Sequence, residues 1–205
     1  MNSEIANNKV YLQGVVDSLP ELNHTVKDEE FYSFNLCVSR LSGQNDVIPI
    51  IISKYLLNFY NIKKGDMVAL KGQFRSFNKI ENEKRKLILS VFVKEICEWD
   101  NDANPNVVEL NGFVCKPVIY RTTPFSREIC DVLLAVNRNF NKSDYIPCIA
   151  WGRNARFASH LEVGDKINLV GRIQSREYQK VLENGVEETR TAYEISISRI
   201  SYAEE

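Results

Sequence analysis

The sequence predicts an all-β protein made of two tandem small closed barrels. Three observations predict it. The chain repeats itself at an offset of 98 residues, apolar residues alternate with period two in each copy, and one short helix-like segment recurs at the same place in each. With 205 residues, 44% of them hydrophobic, the chain suits a globular protein of one or two domains at ~100–200 residues each.

The repeat starts with Val10-Tyr-Leu-Gln-Gly14, which returns as Val108-Glu-Leu-Asn-Gly112. Phe34, Leu36, Val38 and Arg40 return as Val132, Leu134, Val136 and Arg138. Asp46, Ile48 and Pro49 return as Asp144, Ile146 and Pro147. Beyond one inserted residue, Gly65-Asp66, Gly72 and Ser76 match Gly164-Asp165, Gly171 and Ser175, and Leu87 to Ile96 matches Thr191 to Ile200. A polar segment, Glu98 to Asn106, separates the copies, so the expected domains are 1–103 and 104–205.

Within each copy the first strand carries an interior glycine, Gly14 or Gly112, read as a bend or bulge. Second strands are expected over Phe31–Ser39 and Ile129–Asn137, and third strands over Val47–Ile52 and Tyr145–Trp151. The helical segments Lys54–Tyr60 and Asn154–Leu161 follow, each closed by a Gly-Asp turn. Fourth and fifth strands form a charged hairpin, with Glu183-Asn184-Gly185 as the turn in copy two. A five-stranded sandwich would meet the strand count but does not predict the helix. Five strands with one short helix between strands three and four describe a Greek-key barrel, the oligonucleotide/oligosaccharide-binding (OB) fold.

Strand three of copy two carries the functional signal. Ile146, Cys148 and Ala150 form one parity, suited to a narrow barrel interior. Tyr145, Pro147, Ile149 and Trp151 form the other, facing outward. Tyr145 and Trp151 then stand ~20 Å apart along the strand, a spacing on which successive bases can stack at ~1–3 kcal/mol each. Tyr178 and Arg176 add an aromatic and a cation on strand four. The same rings could instead fill an interface, since Tyr and Trp suit both uses.

Charge differs between the copies in kind. Lys and Arg total 26 against 27 Asp and Glu, for a net charge of −1, which argues against a protein that coats nucleic acid by bulk charge. Residues 1–104 hold 10 Lys and 3 Arg, whereas residues 105–205 hold 4 Lys and 9 Arg. Guanidinium stacks on ring planes and pairs phosphate bidentately; ammonium is a solvated point charge. Arg138, Arg153, Arg156, Arg172 and Arg176 lie around the aromatic strands and are the candidate phosphate contacts.

Copy one has Val47 where copy two has Tyr145, and Ser53 where it has Trp151; its nearest substitutes are Phe77 and Arg75. Its outward parity, Val47, Pro49, Ile51 and Ser53, is expected to be an exposed apolar strip that marks a packed contact. Copy one is therefore expected to serve assembly, with auxiliary nucleic-acid contact.

Other chemistry is poorly supplied. Five cysteines without CxxC spacing and two histidines far apart argue against disulfides, a metal site or a catalytic dyad. Cys37, Cys130 and Cys148 are expected as small buried groups in strands. Asp28-Glu29-Glu30 and Glu187-Glu188 fall in turn-like segments. No phosphate loop or nucleophile elbow occurs, so neither enzyme activity nor a cofactor is expected. The start Met1-Asn2-Ser3-Glu4 has no leader character, and no apolar run spans a bilayer, which points to the cytoplasm.

Copy two resembles the bacterial single-stranded DNA-binding protein family. The resemblance runs through Val108 to Gly112, Arg121-Thr-Thr-Pro124, Leu133 to Arg138, Asp144 to Gly152, Gly164-Asp165 and Leu169 to Arg176, nearly all of 106–200. Copy one carries it more faintly. The resemblance implies OB folds that wrap single-stranded DNA, with base-stacking aromatics at Tyr145, Trp151 and Tyr178. It also implies four OB folds acting together, hence a homodimer of this two-barrel chain, located at the bacterial nucleoid. The family's long acidic tail has no match in Ser201-Tyr-Ala-Glu-Glu205, so recruitment of replication and repair proteins by that route is not expected. The function expected is sequence-nonspecific single-stranded DNA binding in replication, recombination or repair. The alternative is an OB-type protein-interaction module of a replication or primosome-type complex.

Overall fold

The computed structural model describes residues 7–40, 42–81, 84–181 and 187–204. In copy one, β1 (Asn8–Val16), β3 (Glu29–Ser39), β4 (Asn45–Ser53), β5 (Met67–Glu81) and β6 (Lys84–Cys97) form a closed ring. β1 pairs antiparallel with β5 and β3, β3 with β4, and β5 with β6. The ring closes through a short parallel pairing of β4 with β6, Ile50 opposite Val91. Copy two repeats this with β7 (Asn106–Val114), β9 (Glu128–Arg138), β10 (Lys142–Trp151), β11 (Lys166–Val181) and β12 (Glu187–Tyr202), closing through Cys148 opposite Ile195. These ten strands are the five expected per copy.

Each copy adds one short strand outside the ring. β2 (Glu21–Val26) and β8 (Ile119–Thr122) pair with the outer ends of β3 and β9 and are exposed along their whole length. The helices are α1 (Lys54–Phe59) and α2 (Arg153–Ala158), a single short turn or two each, as expected between strands three and four. Among the described residues no helix is long and apolar enough to cross a membrane. The expected turn at Glu183-Asn184-Gly185 lies outside the described residues, as do Met1 to Ala6 and Glu205.

Inward parity follows the sequence reading. Leu36, Ile48, Ile50, Ile52, Leu70 and Phe74 fill barrel one, and Leu134, Ile146, Cys148, Ala150, Ile167 and Ile173 fill barrel two. Cys130 and Cys148 are buried and burial pushes both thiols up, Cys130 to about 11; Cys37 is only half-buried. Gly14 and Gly112 stand where β1 and β7 bend from one neighbour to the other, and a methyl at either would strike the carbonyl of Cys37 or Ala135. After each helix, Gly65 (φ 95°) and Gly164 (φ 103°) adopt left-handed backbone and donate to Val16 and Val114 carbonyls at 2.8 Å. The adjoining Asp66 and Asp165 carboxylates accept from the Lys63 and Glu162 amides at 2.8 Å, which locks the turn.

The two barrels are joined by strand pairing. β1 runs antiparallel to β7, with Val10 opposite Val108, Asn8 opposite Leu110 and Leu12 opposite Asn106. Val10 and Val108 are repeat equivalents, so a local two-fold axis passes between them, the self-complementary geometry of a two-fold interface. The ladder extends symmetrically: Asn111 donates to Asn7 and Gln13 to Pro105, both at 2.8 Å. The segment after β6 is stapled to the same place, because the Gln13 side chain both donates to and accepts from the Asp100 backbone at 2.8 Å.

A second reciprocal contact lies beside this seam. The Asp46 carboxylate accepts from the Ser175 amide at 2.7 Å and from its hydroxyl at 3.1 Å. Its equivalent, Asp144, accepts from the Ser76 amide at 2.7 Å, and the Ser76 hydroxyl accepts from the Tyr145 amide at 2.8 Å. Both aspartates are fully buried, and each faces an arginine of its own barrel, Arg40 or Arg138.

Candidate nucleic-acid interface

On barrel two, the outward parity of β10 emerges as expected. Tyr145 is 45% exposed and Trp151 39%, while Pro147 is half-buried and Ile149 buried between them. Ten consecutive pairings join β10 to β9, which sets Trp151 beside Ile129 and Tyr145 beside Ala135. Trp151 and Arg176 line one groove of about 530 Å³ that crosses from β8 and β9 over β10 to β11, its floor formed by Val132, Pro147 and Ile149. Tyr178 is 39% exposed further along β11, with the Arg176 guanidinium 5.9 Å from its ring centre. A groove walled by a ring and a guanidinium, with a second ring beside that guanidinium, suits stacking on single-stranded nucleic acid.

The arginines divide. Arg153 is exposed at the start of α2, next to Trp151, and Arg172 is half-buried, donating to Gln174 at 3.3 Å. Arg156 pairs with Glu128 at 2.7 Å; Tyr120 and Arg156 together hold the Glu128 carboxyl below the usual carboxylate range. Arg138 sits with its Nε 3.1 Å from the buried Asp144. Its position in the sequence suggests a phosphate contact, whereas the hairpin of β9 and β10 turns it back onto Asp144 at the junction of the barrels.

The two buried aspartates differ in charge balance. Burial opposes the charge of Asp46, but Arg40 grips it with two nitrogens, at 2.7 and 2.5 Å, and with Ser175 outweighs the burial, so the carboxyl lies below its usual range. Burial also dominates at Asp144, and there it prevails: the Ser76 amide and Arg138 offset it only in part, so the carboxyl lies above its usual range. The looser Arg138 contact, in which neither Nε nor Oδ2 reaches hydrogen-bond geometry, accounts for the difference.

Barrel one corrects the expectation of an exposed apolar strip. Phe77 is 44% exposed and lines a groove of about 360 Å³ with Leu19, Pro49, Ile51 and Ile88. The strip on β4 is not exposed: Val47 and Pro49 are half-buried and Ile51 is buried, with Pro49 and Ile51 lining the groove beside Phe77. The aromatic missing at Ser53 stands directly across the strand pair. Phe31 of β3 faces Ser53, as Ile129 faces Trp151 in barrel two, so the ring of this cross-strand pair stands on β3 in barrel one and on β10 in barrel two. Phe31 is buried beneath His24, whose ring stacks on it at 5.0 Å, and Phe92 lies 5.5 Å away on the other side. Arg75 lies over Phe92 at 3.9 Å and also reaches Gln73. Ser53 itself caps α1, accepting from the Leu56 amide at 3.3 Å.

Two features escaped the sequence reading. Phe140, 84% exposed, tips the hairpin between β9 and β10 in left-handed backbone (φ 64°), and Tyr55, Phe59 and Tyr60 form an exposed cluster of three rings on and after α1. Phe140 follows a run of three polar residues and carries no strand periodicity; only its place at a hairpin tip would have singled it out.

The geometry agrees with comparisons to known proteins. Residues 105–202 match the family model described as "Single-strand binding protein family". Single-stranded DNA-binding protein 1 of Streptococcus pyogenes serotype M18 is 37% identical over 81 residues, covering 36% of this chain and 62% of that protein. Single-stranded DNA-binding protein 3 of Streptococcus agalactiae serotype V is 33% identical over 81 residues, covering 36% of this chain and 59% of that protein. The chain thus spans about 60% of the length of these curated relatives. Across both barrels, the wild-type single-stranded DNA binding protein from Thermus aquaticus superposes with a TM-score of 0.76 at 19% identity, covering 98% of this chain and 94% of that one. That likeness shows the tandem OB fold. The barrel bearing Trp151 and Tyr145 thus matches the single-strand binding protein family model over nearly its whole length, and in this chain it is joined to a second barrel of the same fold.

Proposed function

We propose that this chain binds single-stranded DNA without sequence preference, stacking bases on Tyr145, Trp151 and Tyr178 of barrel two. The groove that Trp151 and Arg176 line together carries the reading: it offers a ring, a guanidinium and an apolar floor in one continuous depression. Arg153, Arg172 and Arg176 supply phosphate contacts. Arg156 is held by Glu128, and Arg138, anchored by Asp144, adds its charge at the junction of the barrels. Phe77 and Arg75 of barrel one add auxiliary contacts, and residues 1–103 serve mainly assembly while 104–205 hold the strand. A homodimer would bring four OB folds together on one strand, and the setting would be replication, recombination or repair in the cytoplasm. Binding weakens as salt rises, at a slope of roughly 0.7 per phosphate neutralised on a single strand.

The test is fluorescence titration with poly-thymidine in a Trp99→Phe background, which leaves Trp151 as the reporter. Quenching that salt reverses is expected. An unquenched Trp151 together with no retention on single-stranded DNA at low salt would overturn the proposal. One observation favours a second reading, an interaction module of a replication complex: the exposed rings of Tyr55, Phe59 and Tyr60 have no counterpart on α2. That reading expects Tyr55→Ser with Phe59→Ser to leave DNA affinity unchanged.

A further inference from the structure

The local two-fold axis makes every groove at the barrel junction occur twice, and its two versions are not alike. On one side a cleft of about 330 Å³ takes Gln73, Arg75 and Lys94 from barrel one and Arg138, Phe140 and Lys142 from barrel two. That volume falls at the lower end of the ~300–1,000 Å³ of clefts that hold small molecules. The remaining lining is asparagine: Asn7, Asn8, Asn137 and Asn139. Four cations meet there, and among the described lining residues there is no carboxylate.

Repeat equivalence shows what the opposite side carries. Arg75 is matched by Gln174, Lys94 by Ser198, Lys142 by Gln44 and Phe140 by Ser42; Arg40 and Arg172 are the only cations at the six matching positions. The fold does not demand four cations at this junction, since the second version of the same junction does without two of them. Clustered like charge in a cleft is unfavourable by itself and raises the local concentration of anions. The cations are also supported in place. Arg75 and Lys94 lie over the Phe92 ring, at 3.9 and 5.6 Å from its centre, and the Arg138 charge is anchored by Asp144. Phe140 offers an exposed ring at the rim.

We infer that this cleft is a composite site for the phosphate backbone of a single strand passing from one barrel to the other. It needs both barrels, because neither contributes more than two of its four cations. The inference rests on the proposed DNA binding and adds to it a defined crossing point and an active role for barrel one. Lys94 and Lys142 neutralise phosphates from opposite walls, and Phe140 takes a base at the exit toward Tyr145, five residues on along the same hairpin.

The experiment compares Lys94→Gln with Lys142→Gln, combined in the full chain, against the unaltered protein. Both lysines are exposed, so thermal melting should be unchanged. Two thymidine oligomers are titrated, one of about 6 nucleotides and one of about 30, spanning the roughly 4–16 nucleotides an OB fold occupies. For the long oligomer the double variant should lose about 5- to 30-fold in affinity, and its salt slope should fall by about 1.4, the contribution of two phosphates. Affinity for the short oligomer should stay within two-fold. Equal affinities and slopes for variant and unaltered protein on the long oligomer would overturn the crossing point while leaving DNA binding intact. An equal loss on both lengths would also overturn it, showing a general charge effect. If the unaltered protein binds neither oligomer, the underlying DNA-binding reading fails instead.

Discussion

Asp46 and Ser175 lie 129 positions apart in the chain, yet the Asp46 carboxylate accepts both the amide and the hydroxyl of Ser175, at 2.7 and 3.1 Å. Asp144 and Ser76 repeat the contact around the local two-fold axis. Each aspartate therefore ties its own barrel's arginine to the other barrel's fourth strand.

Replacing Asp46 by Asn leaves Arg40 mostly buried and without its counter-charge. Breaking a buried pair from one side typically costs ~3–5 kcal/mol, and the partial exposure of Arg40 places this case near the lower bound. Urea unfolding should show that loss. Ser175→Ala removes one hydroxyl donor but keeps the amide, and should cost about 1 kcal/mol.

Acid should act oppositely on the two aspartates. The Asp46 carboxyl lies below its unfolded value, so its contribution is complete above the ordinary aspartate range and is lost as pH falls through the folded value. The Asp144 carboxyl lies above its unfolded value, so the folded state takes up that proton first and gains stability as pH falls toward the ordinary range. In unfolding midpoints against pH, Asp46→Asn should flatten the acid limb, and Asp144→Asn should remove a gain at mildly acidic pH.

Phe31 and Trp151 occupy paired positions in the two barrels but should respond differently. Phe31→Ala deletes a buried ring between His24 and Phe92 and should cost about 3–4 kcal/mol of stability. Trp151→Ala removes an exposed ring: melting should move little, and affinity for poly-thymidine should fall by about 1–3 kcal/mol. A large melting shift for Trp151→Ala would place that ring in the structure rather than at the interface.

Gly65→Ala and Gly164→Ala force a side chain into left-handed backbone, where the strain is of order 1–3 kcal/mol. Among the described residues nothing lies within 4 Å of the added methyl at either site, so the loss should be backbone strain and nearly equal in the two barrels. Thermal unfolding of the two variants checks it.

The repeat, the ten barrel strands and the two helices were legible in the sequence because each is written locally, in alternation and in the Gly-Asp turn. β2 and β8 were not, since exposed strands have no buried face and show no alternation. The exchange of Phe31 for Trp151 was hidden because it exists across a strand pair, and register is not visible within one strand. Arg138 hid its pairing for the same reason. Its partner Asp144 stands six residues on, the same spacing as Arg40 and Asp46, and that recurrence was the available signal. Tyr145, Trp151 and Tyr178 were readable because outward aromatics on an alternating strand announce themselves.

The antiparallel pairing of β1 with β7 has a consequence for behaviour in dilute solution. Two separate barrels meeting through such a seam would come apart as concentration falls. Here the segment 98–105 makes their meeting intramolecular, with an effective concentration in the millimolar range for a short connection. The two faces then hold one relative orientation down to single molecules, and the protein scarcer than its own dissociation constant for a second copy still presents a paired surface.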